Sequence, residues 1–374
     1  MRILIAFGTR PEIIKLGPVY RALRESGAHV DVFWSGQHID LADGLLDLFE
    51  INLTYNGFGV MQEPSLAGKF ALITQQMQSL LGSGQYDWVV VQGDTTTAAA
   101  GALTAFLNHV PVVHVEAGLR TATLHSPWPE EFNRRLITVA STLHFAPTAR
   151  SRENLLREGV PSDCINVIGN TAVDALLYAR ARLAGGYVPI DQAVANLPQG
   201  RKLVLATLHR RENIGAPLDE ILEALRELAD DGDKLILLPV HPNPDIRAQV
   251  VRALAGCANI RLLKPLHYTD FVYLLSRSWT VVTDSGGVQE EAPTFGLQIL
   301  ITRESTERPE VVEAGFGTLV GSNADAIIAG VRRLTSSDAP QLLAARNPFG
   351  DGEASRRIAE RIFNTTGSLQ MAAE

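Results

Sequence analysis

The sequence predicts an α/β protein of two doubly wound domains, each a parallel sheet covered by helices on both faces. Three observations carry this expectation. Short β-branched apolar runs alternate with longer runs at helical spacing. The alternation ends near Ile168 and restarts near Lys202. The length, 374 residues, suits two domains at roughly 100–200 residues each.

In the first half, residues 3–7 read as a buried strand. Pro11 opens a helix whose apolar face holds Ile13, Leu16, Val19, Tyr20 and Leu23, and Gly27 stops it. Strands are expected at 29–34, 88–91, 111–115, 143–146 and 165–168, with helices at 65–81, 96–107, 131–142 and 150–158. In the second half, strands at 202–207, 234–240, 260–263, 280–283 and 297–301 alternate with helices at 218–229, 244–255, 269–275 and 289–295. Residues 187–201 carry Pro189, Pro198 and Gly200 without a strong period and read as a connector. The expected domains are 1–170 and 171–352, and a terminal helix in 353–374 could pack on either domain, including back on the first.

Composition narrows the function. With 46% apolar and 20% charged residues the chain is an ordinary globular one. Lys plus Arg number 33 against 41 Asp plus Glu, a net charge of −8, which argues against a protein held on nucleic acid by bulk charge but leaves room for a local basic pocket. The two cysteines, Cys164 and Cys257, form neither a disulfide framework nor a zinc spacing, so a reducing cytoplasm is the expected compartment. No run approaches the ~18 apolar residues of a membrane span. G-x-G-x-x-G and the P-loop pattern are both absent, which disfavours a nicotinamide dinucleotide and a P-loop ATPase. Neither H-x-H nor H-E-x-x-H occurs, so no metal is expected, and Ser285 lacks the upstream glycine of an esterase elbow.

Open parallel sheets bind ligands at the carboxyl ends of their strands, so the residues just after each strand are the informative ones. Gly8-Thr9-Arg10-Pro11-Glu12 follows the first strand. Arg10 can face an anion there, with Lys15 further along; a capped helix with two solvated cations is the plainer reading. Asp94, after Gln92-Gly93, either caps the next helix or points into a ligand site. Glu116 ends a buried strand. Glu130 and Glu131 open a helix, where they either complement its dipole or do acid–base work. In the second half, His209-Arg210-Arg211 suggests a phosphate site or a proton donor to an oxyanion, or else a solvated basic loop. His241-Pro242-Asn243 suggests a rigid turn. Asp284-Ser285-Gly286-Gly287 leads straight into a helix, a turn suited to a diphosphate, with a carboxylate one turn on for ribose hydroxyls.

Taken together, 7–15, Gly93-Asp94-Thr95-Thr96-Thr97, 114–121, Ser126-Pro127-Trp128-Pro129-Glu130-Glu131, Gly169-Asn170-Thr171, His209-Arg210-Arg211-Glu212, 239–243 and 283–293 resemble the non-hydrolysing bacterial UDP-N-acetylglucosamine 2-epimerases. The likeness runs from residue 1 to about Gly352. It implies a fold like the B-type glycosyltransferases and a homodimer. It implies interconversion of UDP-GlcNAc and UDP-ManNAc with no cofactor, by elimination of UDP to a 2-acetamidoglucal and re-addition on the other face. By the same resemblance, Asp94, Glu116 and Glu130 are catalytic carboxylates and His209 is an active-site group near the diphosphate. Arg10, Ser285, Gly286 and Glu291 contact UDP, and Lys15, Phe271, Gly287 and Arg308 line the same pocket. Many relatives bind a second UDP-GlcNAc as activator through a Gln-His-Arg-Glu/Gln-Met segment. This chain keeps Gln37 and His38, and also His241, but continues Ile39-Asp40-Leu41, and its 61–66 loop lacks an arginine. Weakened activation is therefore expected. The competing readings are a hydrolysing epimerase releasing ManNAc and UDP, an epimerase of a modified UDP-sugar, a glycosyltransferase and a nucleotide-sugar sensor.

Overall fold

The structure, a computed structural model, describes residues 1–36, 44–82, 86–121, 123–125, 127–210, 213–334 and 346–373. Its contacts divide the chain into two units, Met1–Ala175 with Phe349–Glu374, and Leu176–Pro348.

The first unit runs β1 (Arg2–Phe7), α1 (Arg10–Glu25), β2 (His29–Trp34), α2 (Leu45–Leu48), β3 (Tyr55–Asn56), α3 (Leu66–Leu81), β4 (Trp88–Gln92), α4 (Thr96–Leu107), β5 (Val112–Val115), α5 (Glu130–Ala140), β6 (Leu143–Ala146), α6 (Ala149–Arg157) and β7 (Ile165–Val167). Helix α7 (Thr171–Leu183) carries the chain into the second unit. There follow α8 (Gln192–Ala195), β8 (Lys202–Thr207), α9 (Ala216–Asp230), β9 (Lys234–Pro239), α10 (Pro244–Leu254), β10 (Ile260–Leu263), α11 (Tyr268–Arg277), β11 (Thr280–Thr283), α12 (Gly286–Glu291), β12 (Gln298–Ile301), α13 (Pro309–Glu313), β13 (Gly317–Leu319) and α14 (Ala324–Arg333). The last helix, α15 (Ala354–Ala373), belongs to the first unit, where Thr366 accepts the indole N–H of Trp88 at 2.8 Å and Ser355 bonds Asp174.

Both sheets are parallel throughout, as the alternation predicts. Their orders are β3-β2-β1-β4-β5-β6-β7 and β10-β9-β8-β11-β12-β13. Strand β4 is buried along its whole length, which is why its sequence reads as a continuous apolar run rather than an alternation. The strand order reverses between β1 and β4 in one sheet and between β8 and β11 in the other. These switch points are where doubly wound sheets leave a crevice for ligand; the turns of Arg10, Asp94, His209 and Ser285 follow those four strands, while Glu116 follows β5 and His241 follows β9.

Some elements depart from the sequence expectation. Helices α2 and α7 and strand β3 lie where no element was expected. The expected 187–201 connector contains the short α8. The single helix expected at 289–295 starts earlier, at Gly286, and tightens into a 3-10 turn over Ala292–Phe295, where Pro293 removes an N–H. Finally, α13, β13 and α14 extend the second unit; two of the three β13 residues are exposed, too few to give a period. Among the described residues no helix is long and apolar enough to cross a membrane.

Candidate active site

In the first unit, Thr9 and Glu12 form a capping box at the start of α1. The buried Glu12 carboxylate accepts the N–H groups of Gly8 and Thr9 and the hydroxyls of Thr9 and Thr95. It thereby ties the turn after β1 to the turn after β4. Burial pushes its pKa up to about 7 against the pull of those four bonds. Arg10 is the first residue of α1 and half-buried; Lys15, within the same helix, is buried.

Lys15 reaches Glu116, its Nζ 2.5 Å from Oε1. Asn170 donates to the same oxygen at 3.1 Å, and Gln92 donates to Oε2. Glu116 is buried and sits at φ +64° directly after β5. A left-handed backbone at a non-glycine residue costs roughly 1–3 kcal/mol and persists only where the surroundings over-determine it. Three donors and a buried position do so here.

Asp94 does not cap α4. Thr95 does, accepting the N–H of Ala98 at 3.0 Å. The Asp94 turn is instead held from below: its carbonyl accepts from Asn133, and Gly93 O bonds His114 Nε2 at 2.9 Å. Burial pushes the His114 pKa down to about 3, so the ring is a neutral Nε2–H donor. The Asp94 side chain is 32% exposed and lies 3.6 Å from Arg134 Nη1. Desolvation pushes its carboxyl up to about 6; Arg134 pulls it down while Glu116 and Glu130 push it up.

The two acids at the start of α5 have different fates. Glu131 is fully buried, pairs with Arg134 and Arg135, and accepts the N–H of Thr121. Glu130 keeps a buried Oε2 with no hydrogen-bond partner among the described residues. So the first unit gathers Lys15, Asp94, Glu116 and Glu130, and adds three residues the sequence reading missed: Gln92, Arg134 and Asn170. Arg134 lies four residues after Glu130, the spacing of one helix face, which is the signal that was there to find.

In the second unit, Ser285 precedes α12, and its N–H bonds Thr283 Oγ1. A Cβ at Gly286 would lie 2.9 Å from the Arg308 guanidinium and would displace it. That guanidinium is fixed by Glu290 at 2.9 Å and Glu307 at 2.8 Å. Gly287 follows with no comparable crowding. Glu291 is buried and accepts the hydroxyl of Tyr268; Phe271 lies three residues on from Tyr268 in α11. After β8, His209 Nδ1 stands 2.9 Å from Oδ1 of Asp284, a fully buried carboxylate that the sequence reading passed over. The His241 ring centre is 6.2 Å from that of His209. Gln37, His38, Ser126, Arg211 and Glu212 lie outside the described residues.

The family model described as UDP-N-acetylglucosamine 2-epimerase matches residues 21–363. The UDP-N-acetylglucosamine 2-epimerase of Escherichia coli (strain K12) is 41% identical, over 99% of this chain and 100% of its own. The crystal structure of UDP-GlcNAc 2-epimerase from Neisseria meningitidis bound to UDP-GlcNAc is 40% identical, with a TM-score of 0.89 over 97% of this chain and 100% of that one. A glycotransferase of kitacinnamycin, 12% identical with a TM-score of 0.64, shares the fold.

Proposed function

The chain belongs to the UDP-N-acetylglucosamine 2-epimerase family, and we propose that it interconverts UDP-GlcNAc and UDP-ManNAc without releasing free sugar. The observation that carries this reading is the cluster of Asp94, Glu116 and Glu130 at the switch point of the first sheet, with Asp94 poised near 6. Epimerisation at C2 needs a base to take a weakly acidic proton and an acid to return one to the opposite face. Carboxylates in unlike environments supply both. In this reading the C2–H bond breaks as UDP departs from C1 with the bonding electron pair, giving a 2-acetamidoglucal, and UDP adds back after reprotonation. Lys15 holds the Glu116 side chain in place through their ion pair.

The second unit then holds UDP. The Ser285-Gly286-Gly287 turn and Arg308 take the diphosphate, Glu291 takes the ribose, and Phe271 lines the same pocket. No cofactor is required by this chemistry. The family resemblance further suggests a homodimer, and weakened activation by a second UDP-GlcNAc through Gln37, His38 and His241.

Proton NMR of UDP-GlcNAc with the purified protein in D₂O tests the proposal. UDP-ManNAc carrying deuterium at C2 is the expected product. Free ManNAc with UDP would move the assignment to a hydrolysing epimerase, and no turnover despite UDP binding would point to a modified UDP-sugar. The same assay started from UDP-ManNAc alone should also proceed; a strict need for added UDP-GlcNAc would overturn the weakened activation.

A further inference from the structure

Asp284 holds His209 through the backbone as well as the ring. Its Oδ2 accepts the N–H of Arg210 at 3.0 Å and Asn213 Nδ2 at 3.0 Å, and both oxygens lie 3.1 Å from the His209 N–H. Oδ1 faces His209 Nδ1 at 2.9 Å. An ionised carboxylate only accepts hydrogen bonds, so Nδ1 must carry a proton. Burial pushes the Asp284 carboxyl up, but the His209 bond and charge and the backbone N–H groups outweigh it and hold it below its ordinary value.

The remaining ring nitrogen, Nε2, has no partner among the described residues, and the side chain is 39% exposed. Asp284 directly precedes Ser285, and β8 and β11 are adjacent, so His209 emerges beside the turn assigned above to the diphosphate. A bound diphosphate would place the ring between two anions. The nearby titratable group does not oppose this. His241 is held neutral: its Nδ1 accepts the Asn243 N–H, and burial, then the charge on His209, lower its pKa, while Asp284 raises it. The other charged groups flanking the turn are Arg210 and Arg308, the latter paired with Glu290 and Glu307.

We propose that Asp284 is a positioning residue that acts through His209, keeping the imidazole doubly protonated in the UDP complex so that Nε2–H meets the leaving diphosphate oxygen. This rests on the epimerase reading. As C1–O breaks, its electron pair stays on that oxygen and the growing negative charge strengthens the hydrogen bond; the proton stays on nitrogen.

The test is Asp284→Asn. With its carbonyl oxygen kept at the Oδ2 position by Arg210 and Asn213, the amide N–H₂ must face Nδ1 and deny it a proton. In ¹⁵N NMR of the UDP complexes, both His209 ring nitrogens should be protonated in the wild type, and Nδ1 should lose its proton in the variant. The kcat should fall at least roughly tenfold, further than UDP affinity falls. Added to His209→Asn, the change should cost less than about twofold, because the pair acts as a unit. Additive losses, or an unprotonated Nδ1 in wild-type protein with UDP bound, would overturn the assignment; the second readout decides even if the variant does not fold. A wild type that binds UDP but does not epimerise UDP-GlcNAc would refute the activity while the NMR result still judged the dyad.

Discussion

Asp94 and Asp284 follow the strands that stand beside the first strand of each sheet, β4 beside β1 and β11 beside β8. Their environments drive them in opposite directions. Asp94 has one arginine at 3.6 Å and two carboxylates nearby, and desolvation, then those carboxylates, push its pKa up to about 6 against the arginine. Asp284 is fully buried yet held below its ordinary value, because four donors converge on it. Burial alone therefore does not decide acidity at these two turns; the count of donors does. One turn carries a carboxyl of raised pKa, the group assigned to proton transfer in the proposed function, and the other a fixed anion beside a histidine.

The sharpest way to break this comparison is to remove proton chemistry from the first unit alone. Glu116→Gln should lower kcat by about 10²–10⁴-fold and leave the UDP dissociation constant nearly unchanged. A parallel loss of UDP affinity, measured by calorimetry, would show that the two units do not divide the labour. A smaller effect is expected from the other side. Gly286→Ala should weaken UDP binding by about tenfold by displacing a guanidinium that two carboxylates pin, with little change in Tm. Unchanged affinity would remove Arg308 from the diphosphate site.

The smallest effect is on stability and depends on pH. A carboxyl whose folded pKa is raised favours the fold below its unfolded pKa and gives that stability up as pH rises through the folded pKa. Asp94→Asn should thus raise the Tm of the ligand-free protein at pH 8, by about 2–4 °C, and bring no gain at pH 4. The wild-type kcat/KM should fall on acidification through about 6 if Asp94 is the base. A stability gain equal at both pH values would refute the raised pKa.

The order of strands and helices was legible in the sequence because burial on both faces and helical spacing are local patterns. So were the turns at the switch points, since Gly, Pro and charged residues punctuate apolar runs there. Helix α7 was not expected, and α13, β13 and α14 lie beyond the last element the pattern marked. Strand-end position raised Asp94, Glu116 and Glu130 as acid–base candidates and family likeness singled out the same three, but the local pattern gave no physical reason to separate Glu130 from Glu131, which are identical in type and adjacent. Only the fold did so, by burying Glu131 against Arg134, Arg135 and the Thr121 N–H while leaving a Glu130 oxygen unpartnered.

What the sequence determined by itself was the pair of parallel sheets and the places where ligand-facing turns must fall, because backbone geometry and apolar periodicity act over a few residues. What only the tertiary structure decided was the chemistry of each turn: that Thr95 rather than Asp94 caps α4, and that Asp284 belongs to His209, 75 residues away. Proton affinity and tautomer are set by groups within a few ångströms in space, and folding draws those groups from distant parts of the chain.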